Sequence, residues 1–120
     1  MKKVIAATAL VLMSTSSYAR TSICKTTATG VEINRYGEVQ FNTSSFGTSK
    51  PVCNVSQQLG YITTETCKVM YSQMLAAVMA QSTITLWFET TETCAQLQEV
   101  YKSGWTSYQT HGFKHFRISN

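Results

Sequence analysis

The sequence predicts a mainly β domain organised around one helix, and three observations indicate this fold class. Residues 63–81 carry apolar side chains at intervals of three and four, which is the period of an amphipathic helix. Directly afterwards the period changes to two, with Ile84, Leu86 and Phe88 on one side of a predicted strand. Other short alternating segments lie on both sides of this unit, separated by glycine- and serine-rich stretches. A helix that runs almost without a loop into a half-buried strand must fold back onto a sheet.

The first nineteen residues have the pattern of a secretory signal peptide. Two lysines precede an apolar run from Val4 to Met13, and small residues end the segment at Ala19. The apolar run is too short to span a bilayer, which favours a signal peptide. The alternative interpretation of the same segment is an N-terminal membrane anchor. We therefore exclude residues 1–19 from the fold and expect one domain over residues 20–120, in the periplasm or outside the cell.

The charge of the predicted mature chain is modest. Of ten basic side chains, two lie in the signal peptide, so eight remain against six acidic ones and the net charge is +2. The basic residues are scattered along the chain; they include Lys25, Arg35, Lys50, Lys68, Lys102, Lys114 and Arg117. Nucleic-acid binding needs a concentrated basic surface, so we expect no nucleic-acid partner.

The four cysteines, Cys24, Cys53, Cys67 and Cys94, all follow the predicted signal peptide. An even number of cysteines in a small exported domain favours two disulfides. Metal binding is the competing interpretation, but the sequence contains no C-x-x-C pair. We expect each bridge to close a loop of about forty residues, which contributes about 4 kcal/mol in the chain-entropy description.

Before the helix, the sequence predicts strands and one long loop. Residues 21–29 are rich in threonine and favour a strand, which Gly30 is expected to break. Alternation in residues 31–34 and 38–41 predicts a hairpin, with its turn at residues 35–37 and glycine in the left-handed position. Residues 42–51 have the composition of a loop, and residues 59–62 favour a further short strand.

The helix is expected to begin near Thr63–Thr66, where threonine or glutamate can cap it. Its predicted inner face consists of Cys67, Tyr71, Met74, Leu75 and Val78. After the strand at residues 83–89, residues 95–103 could form a short helix with Leu97, Val100 and Tyr101 inward, and residues 113–119 form the last strand. This order fits the OB-fold, a five-stranded, partly open Greek-key barrel with a helix inserted before the later strands. An antiparallel α+β sheet with a helix on one face is the alternative.

The helix sequence resembles that of a known group of proteins. The segment CKVMYSQMLAA at residues 67–77, followed by TITLW at residues 83–87 and by Cys94, resembles small exported bacterial proteins with a K-x-M-Y-S-x-L-L-A-A helix. Their plan is similar to that of the receptor-binding B subunits of AB5 toxins of the pertussis and subtilase-cytotoxin type. The resemblance covers residues 51–94, and it implies an OB-fold, assembly as a ring and glycan binding.

The predicted disulfide pairing combines residue positions with this resemblance. Cys67 lies on the predicted inner helical face, so a strand beneath the helix should supply its partner, and Cys24 is the best candidate. The resemblance implies that Cys53 pairs with Cys94. The alternative pairing of Cys24 with Cys53 and of Cys67 with Cys94 stays open, since the strand after the helix runs back beside it.

Candidate binding residues lie in the polar stretch YKSGWTSYQTHG at residues 101–112. Trp105, Tyr108 and His111 could form a ligand site there, because aromatic rings offer apolar faces to sugars and neighbouring polar side chains supply hydrogen bonds. The alternative is that Trp105 and Tyr101 simply cover one end of the barrel. Trp87 lies opposite the apolar side of its strand, so we expect it at a subunit interface or beneath the helix.

Catalysis and metal binding have little support in the sequence. The chain contains no aspartate, and its two histidines, His111 and His115, have no third ligand nearby in sequence. Glutamates are available to orient a histidine base, but no motif singles one out. We therefore expect no enzyme activity, no metal and no cofactor.

The sequence favours an exported binding protein, resembling a glycan-binding toxin B subunit and forming a homo-oligomeric ring. The alternative function is that of a periplasmic inhibitor or accessory protein that binds another protein. An enzyme is the third hypothesis.

Overall fold

A five-stranded antiparallel sheet forms the framework of the protein. The computed structural model describes residues 20–104 and 106–119, so the predicted signal peptide, Trp105 and Asn120 lie outside the described residues. The strands are β1 (Thr21–Ile33), β2 (Glu38–Thr43), β3 (Gly47–Asn54), β4 (Thr83–Glu89) and β5 (Phe113–Ser119). The helices are α1 (Thr64–Met79) and α2 (Cys94–Ser103), with a 3₁₀ turn at Tyr108–His111. The order of strands across the sheet is β3-β2-β1-β4-β5.

Strand β1 is shared by the two halves of the sheet. Its first half pairs with β4, from Thr21 opposite Glu89 to Thr27 opposite Thr83. Its second half pairs with β2, and the register shifts at a bulge between Ala28 and Gly30. The expectation that Gly30 breaks the strand is wrong. The absence of a Cβ instead lets Asn42 of β2 approach, because an added Cβ would lie 2.7 Å from its amide nitrogen.

The prediction of a mainly β fold with five strands is confirmed, and the barrel is not closed. Among the residues that the structure describes, β3 and β5 form the two ends of the strand order and do not pair. The 3₁₀ turn lies against β3, where the side-chain amide of Gln109 donates a hydrogen bond to the carbonyl oxygen of Val52. The α+β alternative therefore describes the protein, with two α-helices in place of one.

The predicted β1–β2 hairpin is present, and the predicted loop after it is largely a strand. Gly37 has a left-handed backbone with φ of 80°, and the Asn34 side chain accepts hydrogen bonds from two backbone amides of the turn. Residues 47–54 form β3, so the loop prediction for residues 42–51 is wrong. The serine- and threonine-rich sequence of this segment is typical of a loop, yet most of β3 is buried. Within it, the Lys50 ammonium donates a hydrogen bond to the carbonyl oxygen of Gly104, 2.7 Å away. Residues 59–62 form only a single β-bridge, between Leu59 and Ile62.

Helix α1 covers one face of the sheet and packs mainly against β1. The Thr63 hydroxyl accepts a hydrogen bond from the Thr66 amide, 3.2 Å away, and caps the helix as predicted. The buried side chains of α1 are Cys67, Met70, Met74 and Ala77. The predicted inner face is therefore partly wrong: Tyr71 and Val78 are half-buried, and Leu75 is 39% exposed. This helix contains more apolar residues than one face can bury, so their periodicity alone does not identify which of them contact the sheet.

Aromatic side chains fill the end of the core where α2 and the 3₁₀ turn meet the sheet. Ile84, Leu86 and Phe88 of β4 are fully buried, as predicted from their alternation. Phe88 belongs to a cluster whose neighbouring ring centroids lie between 5.0 Å and 6.2 Å apart. The members of this aromatic cluster are Phe46, Phe88, Tyr101, Tyr108 and Phe113. Because each is at most 1% exposed, the cluster is core and not surface.

All four cysteines form disulfides, but the predicted pairing is wrong. The bridges are Cys24–Cys94, with a Cα–Cα distance of 5.6 Å, and Cys53–Cys67, with 5.7 Å. The sequence separations are 70 and 14 residues, so neither loop has the expected length of about forty. The alternative pairing considered from the sequence is not formed either.

The strand register explains both bridges. Because β4 runs antiparallel to β1, Glu89 at its end lies opposite Thr21, and the chain reaches the level of Cys24 by the start of α2 at Cys94. Cys67 does point into the core, as inferred, but β3 supplies its partner. The chain leaves β3 at Asn54 and enters α1 at Thr64, which brings the first turn of the helix back beside the strand.

Tryptic mapping of the unreduced protein distinguishes this pairing from the other two. Cys53 and Cys67 lie in one peptide, residues 36–68, since Pro51 protects the bond after Lys50. We expect this peptide to carry an internal bridge and residues 21–25 to be linked to residues 69–102. Both other pairings would join all three peptides into one species, and recovery of that species would contradict the structure.

Replacing Tyr108 tests whether its ring is core. We expect Tyr108→Ala to lower the free energy of unfolding by about 3–5 kcal/mol, because it leaves a cavity in the aromatic cluster. Tyr108→Phe should preserve stability to within about 1 kcal/mol or raise it, since it removes a buried hydroxyl that has no hydrogen-bond partner among the described residues. Urea unfolding measures both values. A fully stable Tyr108→Ala variant would contradict the placement of this ring.

Candidate functional site

Of the three predicted ligand residues, the structure describes Tyr108 and His111, and neither side chain is presented as a free surface group. Tyr108 is 1% exposed and lies in the aromatic cluster, which corrects the expectation of a sugar-stacking ring at this position. Tyr101 is also buried, in agreement with the alternative that these rings cover one end of the fold. Trp105 lies outside the described residues. The polar residues around these aromatics had suggested a surface loop, but the 3₁₀ turn folds Tyr108 inward.

His111 is engaged within the protein. Its Nδ1 lies 2.5 Å from Oε1 of Glu92, and the two side chains are 13% and 32% exposed. The Thr90 hydroxyl donates to the same carboxylate oxygen at 3.3 Å, and the His111 ring meets the Tyr101 ring edge-on at a centroid distance of 5.3 Å. His111 therefore ties the 3₁₀ turn to the segment that precedes α2. Glu92 was one of several glutamates available to a histidine, and no local pattern singled it out.

The two buried tyrosines stay neutral. Burial raises the pKa of Tyr101 well above its ordinary value, and the neighbouring Tyr108 and Glu92 raise it further. Burial likewise raises the pKa of Tyr108, although the nearby Thr43 side chain partly lowers it. Both phenols therefore stay protonated near neutral pH, which agrees with their place in the buried aromatic cluster.

A different set of side chains forms a polar and aromatic surface on the sheet, in which all members except the buried Thr85 are at least partly exposed. Two cross-strand rows lie on the face of β1, β4 and β5 opposite the core. One row contains Ile23, Trp87 and His115, and the other contains Lys25, Thr85 and Arg117. We call these six residues the outer face. Side chains directly opposite in neighbouring strands lie close enough to interact, so the rows form one continuous patch.

Trp87 is the centre of the outer face. Its ring meets the His115 ring edge-on, with centroids 4.6 Å apart, and the guanidinium carbon of Arg117 lies 5.2 Å from the Trp87 ring centroid. The side chain is half-buried. The buried side chains of α1 share the core with Leu86 on the opposite face, so the alternative that Trp87 lies beneath the helix is wrong.

The outer face contains two positive charges, those of Lys25 and Arg117. Within residues 20–104 and 106–119, no acidic side chain forms an ion pair with Lys25 or Arg117. Stacking on Trp87 orients the Arg117 guanidinium and leaves its in-plane N–H groups to meet a carboxylate. The Thr85 hydroxyl is buried in the same face and has no partner in the described part of the chain. The surface can therefore offer an apolar ring and several hydrogen-bond donors to an anionic molecule.

The sequence contained part of this surface. Alternation in residues 113–119 predicts that His115 and Arg117 lie on one side of the last strand. Alternation in residues 83–89 predicts that Trp87 lies on the outer side of its own strand. What the sequence lacked was the pairing of β4 with β5 and of β4 with β1, which brings Lys25, Trp87 and Arg117 together.

Two other kinds of site are absent from the described residues. Over residues 20–104 and 106–119, no three His, Cys, Asp or Glu side chains converge as a metal site requires. In the same part of the chain, none of the helices has the length and apolar character needed to cross a bilayer.

Comparison of the chain with models of protein families, with curated proteins and with solved structures finds no match in any of the three.

Proposed function

We propose that this is an exported binding protein that recognises an acidic glycan through its outer face. The observation that carries the proposal is the Arg117 guanidinium stacked on Trp87, with His115 and Lys25 beside it and no acidic partner among the described residues. Such a group presents fixed positive charge next to an apolar ring. Sugars that carry a carboxylate or sulfate combine the two complementary properties.

The position of these residues supports a preformed site. Lys25, Trp87 and Arg117 lie on three neighbouring strands whose backbone hydrogen bonds hold their spacing. A ligand would therefore meet side chains that are already ordered, and little conformational entropy would be lost on binding. Arg117 would bind the acidic group through paired N–H donors, while Trp87 and Ile23 would contact the apolar side of a sugar ring.

An exported location is consistent with the two disulfides, because such bridges persist in oxidising compartments. The predicted signal peptide in residues 1–19 supports the periplasm or the cell exterior as the destination. The resemblance of residues 51–94 to toxin B subunits favours a glycan as the ligand and a ring as the assembly.

A second candidate function, that of a protein-binding inhibitor or accessory protein, is favoured by one feature of the outer face. Ile23 is 55% exposed next to the half-buried Trp87. An exposed aliphatic side chain beside an aromatic one on a sheet is typical of protein interfaces. In this case the occupant of the outer face would be a protein partner or another subunit.

Two substitutions test glycan recognition. We expect Arg117→Gln and Trp87→Ala each to weaken binding of an acidic glycan by about tenfold or more, because each removes one of the two recognition elements. A glycan array of acidic and neutral sugars identifies the probe, and isothermal titration calorimetry measures the dissociation constants. Lys102→Gln on α2 is the matched control and should bind as the native protein does.

The same experiment separates the two candidate functions. An array without binding, or equal binding by native protein and Arg117→Gln, would contradict the glycan proposal. Mass measurement under native conditions adds a second criterion. If Trp87→Ala converts an oligomer into monomers, the outer face is a subunit interface, and the glycan proposal fails at this surface.

A further inference from the structure

Strand β5 leaves one edge of the sheet open. It pairs with β4 on one side only, and it is the last strand in the order β3-β2-β1-β4-β5. Among the described residues, no backbone hydrogen bond joins its other side to another segment. An edge strand of this kind presents unpaired N–H and C=O groups, which can pair with an added strand.

A groove runs between this edge and helix α1. Its volume is about 280 Å³, and its lining includes Thr66, Val69, Met70 and Gln73 from α1 and Lys114 and His115 from β5. The four helix residues follow the spacing of one helical face. Val69 is 59% exposed, whereas Met70 is 6% exposed and forms the floor. An extended segment along β5 would thus place alternate side chains over an apolar helix surface.

The charges around the groove select the kind of segment. Lys114, His115 and Arg117 lie on β5, and its sequence Phe113–Ser119 contains no acidic residue. Glu65 of α1 is paired with Lys68, at 3.1 Å. Lys114 and Arg117 carry the positive charge of this strand, and the Lys114 ammonium donates to the uncharged Thr21 hydroxyl, 3.2 Å away. Neither residue forms an ion pair in the described part of the chain, so glutamate or aspartate side chains of an added strand would be attracted to them.

The same charges disfavour a second copy of this chain as the occupant. Two antiparallel β5 strands centred on Phe116 would bring Lys114 and Arg117 of both copies together, so that four positive charges line one junction. Like charges on neighbouring strands of a sheet repel each other. Basic residues on an edge strand are also a common protection against self-association.

We propose that the open edge of β5 binds an extended acidic segment of a protein partner as a sixth strand. Backbone hydrogen bonds to β5 would supply the pairing, Val69 and Met70 would contact apolar side chains of the segment, and Lys114 would bind a carboxylate. The groove adjoins the outer face and shares His115 with it, but Val69, Met70 and Lys114 belong to the groove alone. Substitutions at Val69 and Lys114 therefore test this proposal separately from glycan recognition.

The probe is a fluorescein-labelled peptide of seven residues in which valine and glutamate alternate. Fluorescence anisotropy gives its affinity for the native protein. We expect Lys114→Glu and Val69→Glu each to weaken binding about tenfold or more, whereas Lys102→Glu, the matched charge reversal on α2, should change it less than about twofold. Both positions tested are solvent-accessible, so the variants should remain folded, and thermal unfolding checks this.

Three controls decide the mode of binding. A peptide with lysine in place of glutamate should not bind, and one N-methylated on three successive central residues should lose binding because it cannot pair as a strand. Hydrogen exchange should show new protection of amides in β5. Equal binding of either control peptide, or no binding of the acidic peptide, would overturn the proposal. Self-association of the protein that Val69→Glu abolishes would also overturn it, in favour of a second copy as the occupant.

Discussion

The pairing of β1 with two different strands is the constraint on which the rest of the structure depends. Residues Thr21–Thr27 belong with β4, and the residues beyond the bulge belong with β2. A register slip of one residue in either half would exchange core and solvent faces. The bulge between Ala28 and Gly30 shifts the register between the halves, so Cys24 points inward before it and Val31, opposite buried Phe41, points inward after it.

Several features follow directly from this arrangement. Because Cys24 faces the core near the start of β1, opposite Leu86 of β4, a residue that follows β4 closely can reach it, and Cys94 meets that condition. The alternate residues Ile23 and Lys25 must then face outward, next to Trp87 and Thr85. One strand register therefore determines both a disulfide and the composition of the outer face.

Local pattern predicted the elements better than their partners. Three elements could be predicted from sequence because periodicity, capping and a left-handed glycine are properties of neighbouring residues. They are the helix at Thr64–Met79, the strand at Thr83–Glu89 and the turn at Gly37. The pairing of cysteines and the burial of Tyr108 depend on residues far apart in sequence. Strand β3 was missed for a further reason: its polar sequence is buried by tertiary contacts, including the bond from Lys50 to Gly104.

The candidate site shows the same division. Alternation correctly placed His115 and Arg117 on the side of β5 that faces away from Phe116, and Trp87 away from Leu86. No local pattern could bring Lys25 beside them, since this needs the order of three strands. Tyr108 and His111 are adjacent to polar residues in sequence, but neither forms an exposed site. Tyr108 is buried in the core, and His111 contacts Glu92.

The two bridges differ in how readily they can form as the chain folds. Cys53 and Cys67 are separated by 14 residues, so chance collision closes this short loop readily. Cys24 and Cys94 are separated by 70 residues, and they meet only once β1 and β4 have paired. In the proposed export the chain would cross the membrane from its N-terminus, so Cys24 and Cys53 would emerge first, and these two are not native partners. A bridge between them would have to be exchanged for the native pairs, by free thiols or an isomerase, once Cys67 and Cys94 have followed.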